Sequence, residues 1–314
     1  MKKLIGENMK KLLTLIASTA FSFGVAAETI KLIVPFSAGS TIDTVARMLS
    51  KPLSEKLNAQ VVVENKPGAG GDIANRFVAT ADKTSITLLI NSAGLAANTA
   101  FVSPQYDLND LVPLVNLGSA PVVFVASKNS KSNVKNFQDY QKQDTLTYGS
   151  SGVNSLTFMF GELVKGETKK NLIHVPYKGV NQSLPDLISG VLDSSFLFYS
   201  TALIYINDNK VYPIGVTSSE RLPLLPSVPT LTELGVNGVG TIDPWFSVFS
   251  NNTEQTENLD RIKQALYELA KDDDVRKQLT SLGLIAPKTY KLPRTFLIEE
   301  NKKYRIFIEK FQLK

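Results

Sequence analysis

Residues 30–49 read IKLIVPFSAGSTIDTVARML, and they decide the fold class. Ile30 to Val34 is a short apolar run that predicts a strand, and Pro35 to Ser40 predict a turn. Beyond the turn, Ile42, Val45, Ala46, Leu49, Leu53 and Leu57 fall at the spacing of one buried helical stripe. Thr41 or Asp43 is placed to cap that helix. Downstream the alternation continues. Val61 to Val63 predicts a strand closed by Asn65-Lys66-Pro67-Gly68, Ile73 to Ala81 a helix, and Ile86 to Ile90 a third strand. A β-α-β-α-β order of this kind reads as a parallel sheet with helical crossovers. It recurs in the strands Val122–Ala126, Leu146–Tyr148, Ile173–Val175, Ser195–Tyr199 and Tyr212–Val216. Helices are expected at Val134–Gln141, Ser155–Val164 and through the tail from Leu259. Two similar α/β halves leave a cleft, and ligands of such sheets sit beyond the carboxyl ends of the strands.

Composition narrows the class. A chain of 314 residues suggests two domains, and it is large enough to bury a core without disulfides. The absence of Cys removes thiolate nucleophiles, Cys metal sites and a Cys-linked lipid anchor. Lys2, Lys3, Lys10 and Lys11, the apolar run Leu12 to Val25 and the small residues Val25-Ala26-Ala27 form an export signal with cleavage expected after Ala27. That segment holds four Lys and one Glu, so three of the five net positive charges belong to it and +2 remains after cleavage. Near-balanced charge without a basic stripe gives no reason to expect a nucleic-acid partner.

Two loops share a design. Pro35-Phe36-Ser37-Ala38-Gly39-Ser40-Thr41-Ile42-Asp43 and Tyr148-Gly149-Ser150-Ser151-Gly152-Val153-Asn154-Ser155 each lead from a strand to a helix through small residues. Small residues admit a ligand close to the backbone, the first helical turn presents unpaired N–H groups, and the hydroxyls add rotatable donors. Two such loops across a cleft suit a carboxylate; either alone also serves as a plain helix cap. Neither ends in Gly-Lys-Ser/Thr, and Gly68-Ala69-Gly70-Gly71 lacks the G-x-G-x-x-G spacing, so no nucleotide site and no cofactor is expected. One His and no Cys argue against a metal site, and Asp272-Asp273-Asp274 lacks EF-hand spacing. A hydrolase built on Ser151 and His174 would lack the nucleophile-elbow context. Asp43 has two readings: a first-turn carboxylate that favours the helix N-terminus, or a partner for an amino group on a ligand.

With these loops placed, the chain resembles the Bug family, the extracytoplasmic receptors of tripartite tricarboxylate transporters. The resemblance covers the whole chain after the export signal. It rests on Ile33-Val34-Pro35-Phe36 with Gly39 and Asp43, Val63-Glu64-Asn65-Lys66-Pro67-Gly68-Ala69-Gly70-Gly71, Tyr148-Gly149-Ser150-Ser151-Gly152 and His174-Val175-Pro176-Tyr177-Lys178-Gly179. Further on come Gly190-Val191-Leu192-Asp193, Pro226-Ser227-Val228-Pro229-Thr230-Leu231 and Trp245. The resemblance implies a two-domain type II periplasmic-binding-protein fold, not an enzyme. Residues 28–126 with 230–314 would form one domain and 127–229 the other. It implies a monomer that binds a small carboxylic acid in the periplasm and delivers it to integral-membrane transporter subunits. A sensor presenting the same closed form to a signalling receptor is the alternative. Carried onto this chain, the binding residues are Phe36, Ala38, Gly39, Ser40, Thr41 and Asp43 from the first loop. The second loop supplies Ser150, Ser151, Gly152, Asn154 and Ser155, with Asn91, Ser92 and Tyr199 as cleft walls. The chain departs from the family at Ser40, where a second glycine is usual, and at Lys83-Thr84-Ser85-Ile86. A positive φ at Ser40 would be strained.

Overall fold

The computed structural model describes residues 28–83, 85–251 and 256–313. The export signal lies outside the described residues, as does Thr84 of the Lys83–Ile86 turn. Ten strands follow in chain order: β1 (Thr29–Val34), β2 (Gln60–Asn65), β3 (Ile86–Ser92), β4 (Val112–Ser119), β5 (Val122–Ser127), β6 (Thr145–Ser150), β7 (Asn171–Pro176), β8 (Ser194–Phe198), β9 (Val211–Val216) and β10 (Trp245–Ser250). They form two five-stranded sheets of matching design, ordered β2-β1-β3-β10-β4 and β7-β6-β8-β5-β9. In each, three strands run parallel through helical crossovers, as the alternation predicts. The fourth is antiparallel to both of its neighbours. Here the expectation of parallel sheets is corrected. β5 and β10 each arrive from the other lobe rather than over a helix, and so run the opposite way.

This exchange also moves the first lobe boundary. β5 pairs with β8 and β9, so residues 122–126 belong to the second sheet and the chain first crosses at Ala120-Pro121. The second crossing lies beside it, where the Ala120 N–H donates to the Pro244 carbonyl at 2.9 Å. Equivalent bonds then start equivalent helices. After β3, the Ala93 N–H donates to the Trp245 carbonyl, and after β8 the Tyr199 N–H donates to the Pro121 carbonyl, both at 2.8 Å.

The predicted stripe is realised in helix α1 (Thr41–Leu57), where Ile42, Val45, Ala46, Leu49, Leu53 and Leu57 are all buried. Its cap is Ser40, not Thr41 or Asp43. Helix α2 is Asp72–Ala79, α3 is Gly94–Phe101 and α4 is Phe137–Lys142, capped by Asn136. Helix α5 is Leu156–Thr168, α6 is Val180–Ser189 and α7 is Tyr199–Asn207. Tyr199 therefore opens a helix rather than ending a strand. The tail holds α8 (Glu257–Lys271), α9 (Asp273–Ser281) and α10 (Phe296–Lys310), with Asp272 capping α9. No described helix is long and apolar enough to cross a membrane.

Candidate functional site

The first loop is locked by a buried carboxylate. Gly39 takes φ +80°, and its N–H donates to Asp43 Oδ2 at 2.8 Å. Arg47 Nε donates to the same oxygen at 3.0 Å, and Asn65 Nδ2 donates to Asp43 Oδ1 at 2.8 Å. Asn65 also reaches the Phe36 carbonyl at 2.9 Å. Burial alone would raise the Asp43 carboxyl, but the hydrogen bonds from Arg47, Gly39 and Asn65 outweigh it and hold it below its usual range. Both oxygens are thus occupied within the lobe, which favours the structural reading of Asp43. Ser40 sits at φ −66° with no strain, and its hydroxyl accepts from the Asp43 N–H. The family's second glycine is therefore not required by the backbone here.

The second loop uses hydroxyls instead. Ser150 Oγ lies 2.6 Å from His174 Nε2 and 3.1 Å from the Gly152 nitrogen, whose N–H it accepts. The Ser151 N–H donates to Thr157 Oγ1 at 2.9 Å, and the Ser151 hydroxyl lies 2.8 Å from the same atom. Ser155 caps α5 through the Phe158 N–H at 3.2 Å. Gly152 and Asn154 hold φ +116° and +63°, the left-handed values that Gly and Asn tolerate best. His174 packs against Tyr148 and Phe158, and burial lowers its pKa, so it is neutral near pH 7. The Ser151–His174 pairing of a hydrolase is not formed. His174 bonds Ser150, which is fully buried, and Ser151 turns to Thr157.

The lobes meet at these loops. Thr41 Oγ1 stands 3.4 Å from both Ser200 Oγ and Thr201 Oγ1, so the start of α1 faces the start of α7. A β-carbon on Gly94 would lie 3.2 Å from Ser92 Oγ and 3.7 Å from the Leu156 nitrogen, so the start of α3 faces the start of α5. In each pair one helix is capped by the serine before it, Ser40 or Ser155; at α3 the Gly94 N–H donates instead to Ser92 Oγ at 3.2 Å, and the residue before α7 makes no side-chain cap bond. Ser37 Oγ donates to the Lys178 carbonyl at 3.3 Å and accepts from Gln182 Nε2 at 2.9 Å, while Asn181 donates to the Gly39 carbonyl. Gly68 to Gly71 all have positive φ and bring backbone against backbone. A β-carbon on Gly70 would lie 2.5 Å from the Val153 carbonyl oxygen. At this seam a hollow of about 260 Å³ is lined by Gly68, Ala69, Gly70, Gly152, Val153, Pro176, Tyr177 and Lys178.

The structure thus gathers Ser40, Thr41, Ser92, Ser150, Ser151, Gly152 and Ser155 at or behind the seam. Phe36 is buried beside them, whereas Ala38 and Gly39 are exposed. The Asn91 amide donates to Asn75 Oδ1 at 2.7 Å, and the Tyr199 hydroxyl accepts from the Leu224 N–H at 3.0 Å, so both side chains are engaged within their own lobes. Sequence reasoning missed Gly70, Gly94, Ser200 and Thr201. The signal for the last two is the apolar strand Ser194–Phe198 running directly into a helix, the same strand-to-helix design as the two loops. Among the described residues no cluster of three or more His, Cys, Asp or Glu could hold a metal ion.

Residues 45–313 match the family model described as tripartite tricarboxylate transporter family receptor. The chain is 30% identical over 269 residues to a UPF0065 protein of Pseudomonas sp. (strain P51), covering 82% of this chain and 78% of that one. It is 30% identical to BugT of Bordetella pertussis, covering 77% and 79%. The periplasmic binding protein BugD shares the fold at a TM-score of 0.83 and 24% identity, covering 91% of this chain and 98% of that one. MatC of Rhodopseudomonas palustris, solved with bound malate, superposes at 0.78 with 26% identity, covering 90% and 99%. An R. palustris protein solved with adipate superposes at 0.80 with 25% identity, covering 90% and 96%. The two-sheet, two-crossing architecture, the seam and these matches agree: the chain belongs to the receptor family of tripartite tricarboxylate transporters.

Proposed function

We propose that this receptor captures a small carboxylic acid at the seam between its lobes and delivers it to the membrane subunits of a tripartite transporter. The observation that carries the reading is the pair of facing helix starts, α1 with α7 and α3 with α5. Each helix N-terminus carries roughly half a positive charge, so facing ends repel until an anion enters between them. The seam offers neutral hydroxyls and first-turn N–H groups to such an anion, from Thr41, Ser92, Ser151, Ser155, Ser200 and Thr201. Phe36, Ala38, Gly39, Ser40, Asp43, Asn91, Ser150, Gly152, Asn154 and Tyr199 complete the proposed site by shaping its walls. On this reading the protein is exported, its signal peptide is cleaved after Ala27, and it acts in the periplasm as a monomer without a cofactor.

A thermal-shift screen of the chain from Glu28 against carboxylic acids and neutral sugars tests this. An acid at a hundred times its Kd adds about 2.7 kcal/mol, enough to raise Tm by several degrees. A shift with sugars and none with any acid would overturn the proposal.

A further inference from the structure

The hollow at the seam has a chemistry of its own. Its walls are the backbone and small side chains of Gly68, Ala69 and Gly70 from one lobe, and Gly152, Val153, Pro176 and Tyr177 from the other. No carboxylate lines it, and Lys178 is the one charged residue on its wall. The Tyr177 hydroxyl is turned to Asp186 at 2.6 Å, so the tyrosine offers the hollow its ring rather than a donor. Val153 is 49% exposed, on a loop whose Ser150, Ser151 and Ser155 are buried. Ile73 is 52% exposed, and its Cδ1 lies 2.6 Å from where a β-carbon on Gly68 would stand. Exposed apolar side chains at a seam formed by both lobes gain by being covered, in proportion to the area removed from water.

The hollow also adjoins the anion-favouring end of the site. A β-carbon on Gly70 would be 3.2 Å from the Ser155 nitrogen, at the start of α5. The seam therefore has a polar pole at the helix starts and an apolar pole in the hollow. From this we infer that the preferred ligand is a monocarboxylic acid with a compact apolar tail, its carboxylate at the helix starts and its tail against Val153, Pro176 and Tyr177. The inference rests on the carboxylate-receptor reading and narrows it. A volume of about 260 Å³ lies just below the ~300–1,000 Å³ range of sites for drug-sized molecules, which suits a compact tail. A second carboxylate would be desolvated against glycine, valine and proline, with only the exposed Lys178 to meet it, and an exposed ion pair returns little of that cost.

Calorimetric titration of the chain from Glu28 with benzoate, succinate, adipate and malate at fixed ionic strength tests it. Benzoate is expected to bind at least tenfold more tightly than any of the dicarboxylates. Val153 is exposed, so V153D folds, and it is expected to weaken benzoate at least tenfold. Dicarboxylates binding more tightly than benzoate, and losing that advantage in K178M, would overturn the inference and make the hollow a second anion site. Benzoate binding that ignores V153D would also overturn it. V153D that binds benzoate normally but no longer supports uptake in cells would assign the hollow to a membrane subunit instead. Failure of all four acids to bind would sink the carboxylate-receptor reading itself.

Discussion

The two loops that meet at the seam solve one problem with different physics. The first, around Gly39 and Ser40, is held by an ionised carboxylate that gathers a backbone N–H, a guanidinium and an amide. The second, Ser150 to Ser155, is held by a lattice of neutral hydroxyls with one neutral imidazole behind it. The first loop keeps its negative charge fully engaged in its own lobe, which leaves the start of α1 without a free anion beside it. The second brings no charge at all. The proposed site is expected to be receptive to an anion through neutral donors, since neither loop, 35–43 or 148–155, contains a lysine or arginine. The contrast teaches that charge on a binding loop need not be meant for the ligand.

Substitutions can break the comparison in order of size. The largest effect is expected where the two lobes touch backbone to backbone. G70V places a branched side chain at φ +63°, against the Val153 carbonyl. The strained φ costs about 1–3 kcal/mol however the lobes sit, whereas the clash with the Val153 carbonyl arises only when the lobes come together and is expected to weaken ligand binding by roughly tenfold. Titration calorimetry reads this, and unchanged affinity would mean that the lobes do not close through this contact.

Next comes the carboxylate lock. D43N removes charge-assisted bonds from a side chain only 3% exposed and is expected to cost about 1.5–3 kcal/mol in urea unfolding. The Asp43 carboxyl is held below its ordinary value of 3.8 in the folded state, so its contribution is complete above that value and is lost as pH falls through the lowered one. The acid limb of the stability profile is expected to flatten in D43N.

The second loop should respond at a different pH. Burial lowers His174 from its ordinary value of 6.5, so the folded state resists charging it. Its contribution is complete above 6.5 and declines as pH falls from there toward the lowered value. H174Q keeps a hydrogen-bonding partner for Ser150, and is expected to cost about 1 kcal/mol while removing that decline. Identical pH profiles for D43N and H174Q would erase the distinction between the loops. The smallest effect is expected at the cap: S40G restores the residue usual in the family and should cost only a few tenths of a kcal/mol, because glycine is itself a tolerable N-cap.

Much of the fold was legible in the sequence because it is local. The stripe Ile42 to Leu57 and the glycine turns depend on neighbours a few residues away, whereas the caps were displaced: Ser40 rather than Thr41 or Asp43 caps α1, and Asn136 caps α4 within the stretch expected to be helical from Val134. Strands β4 and β10 were not legible. Pro113, Asn116 and Gly118 break the apolar run of β4, and β10 takes its place only beside β3, whose residues lie some 150 positions earlier in the chain. The strand Ser194–Phe198 ran apolar into Tyr199, which hid the start of α7. The two loops of the proposed site were legible as small-residue turns before helices. The facing of α1 with α7 and of α3 with α5 was not, because it is a property of two lobes brought together.

The most direct test of the central claim is a crystal structure of the receptor with a bound carboxylic acid. Carboxylate oxygens are expected within hydrogen-bonding distance of first-turn N–H groups or hydroxyls at Thr41, Ser200 or Thr201, or at Ser92 and the start of α5. A carboxylate gripped instead by a lysine or arginine head group, or lying outside the seam, would contradict it.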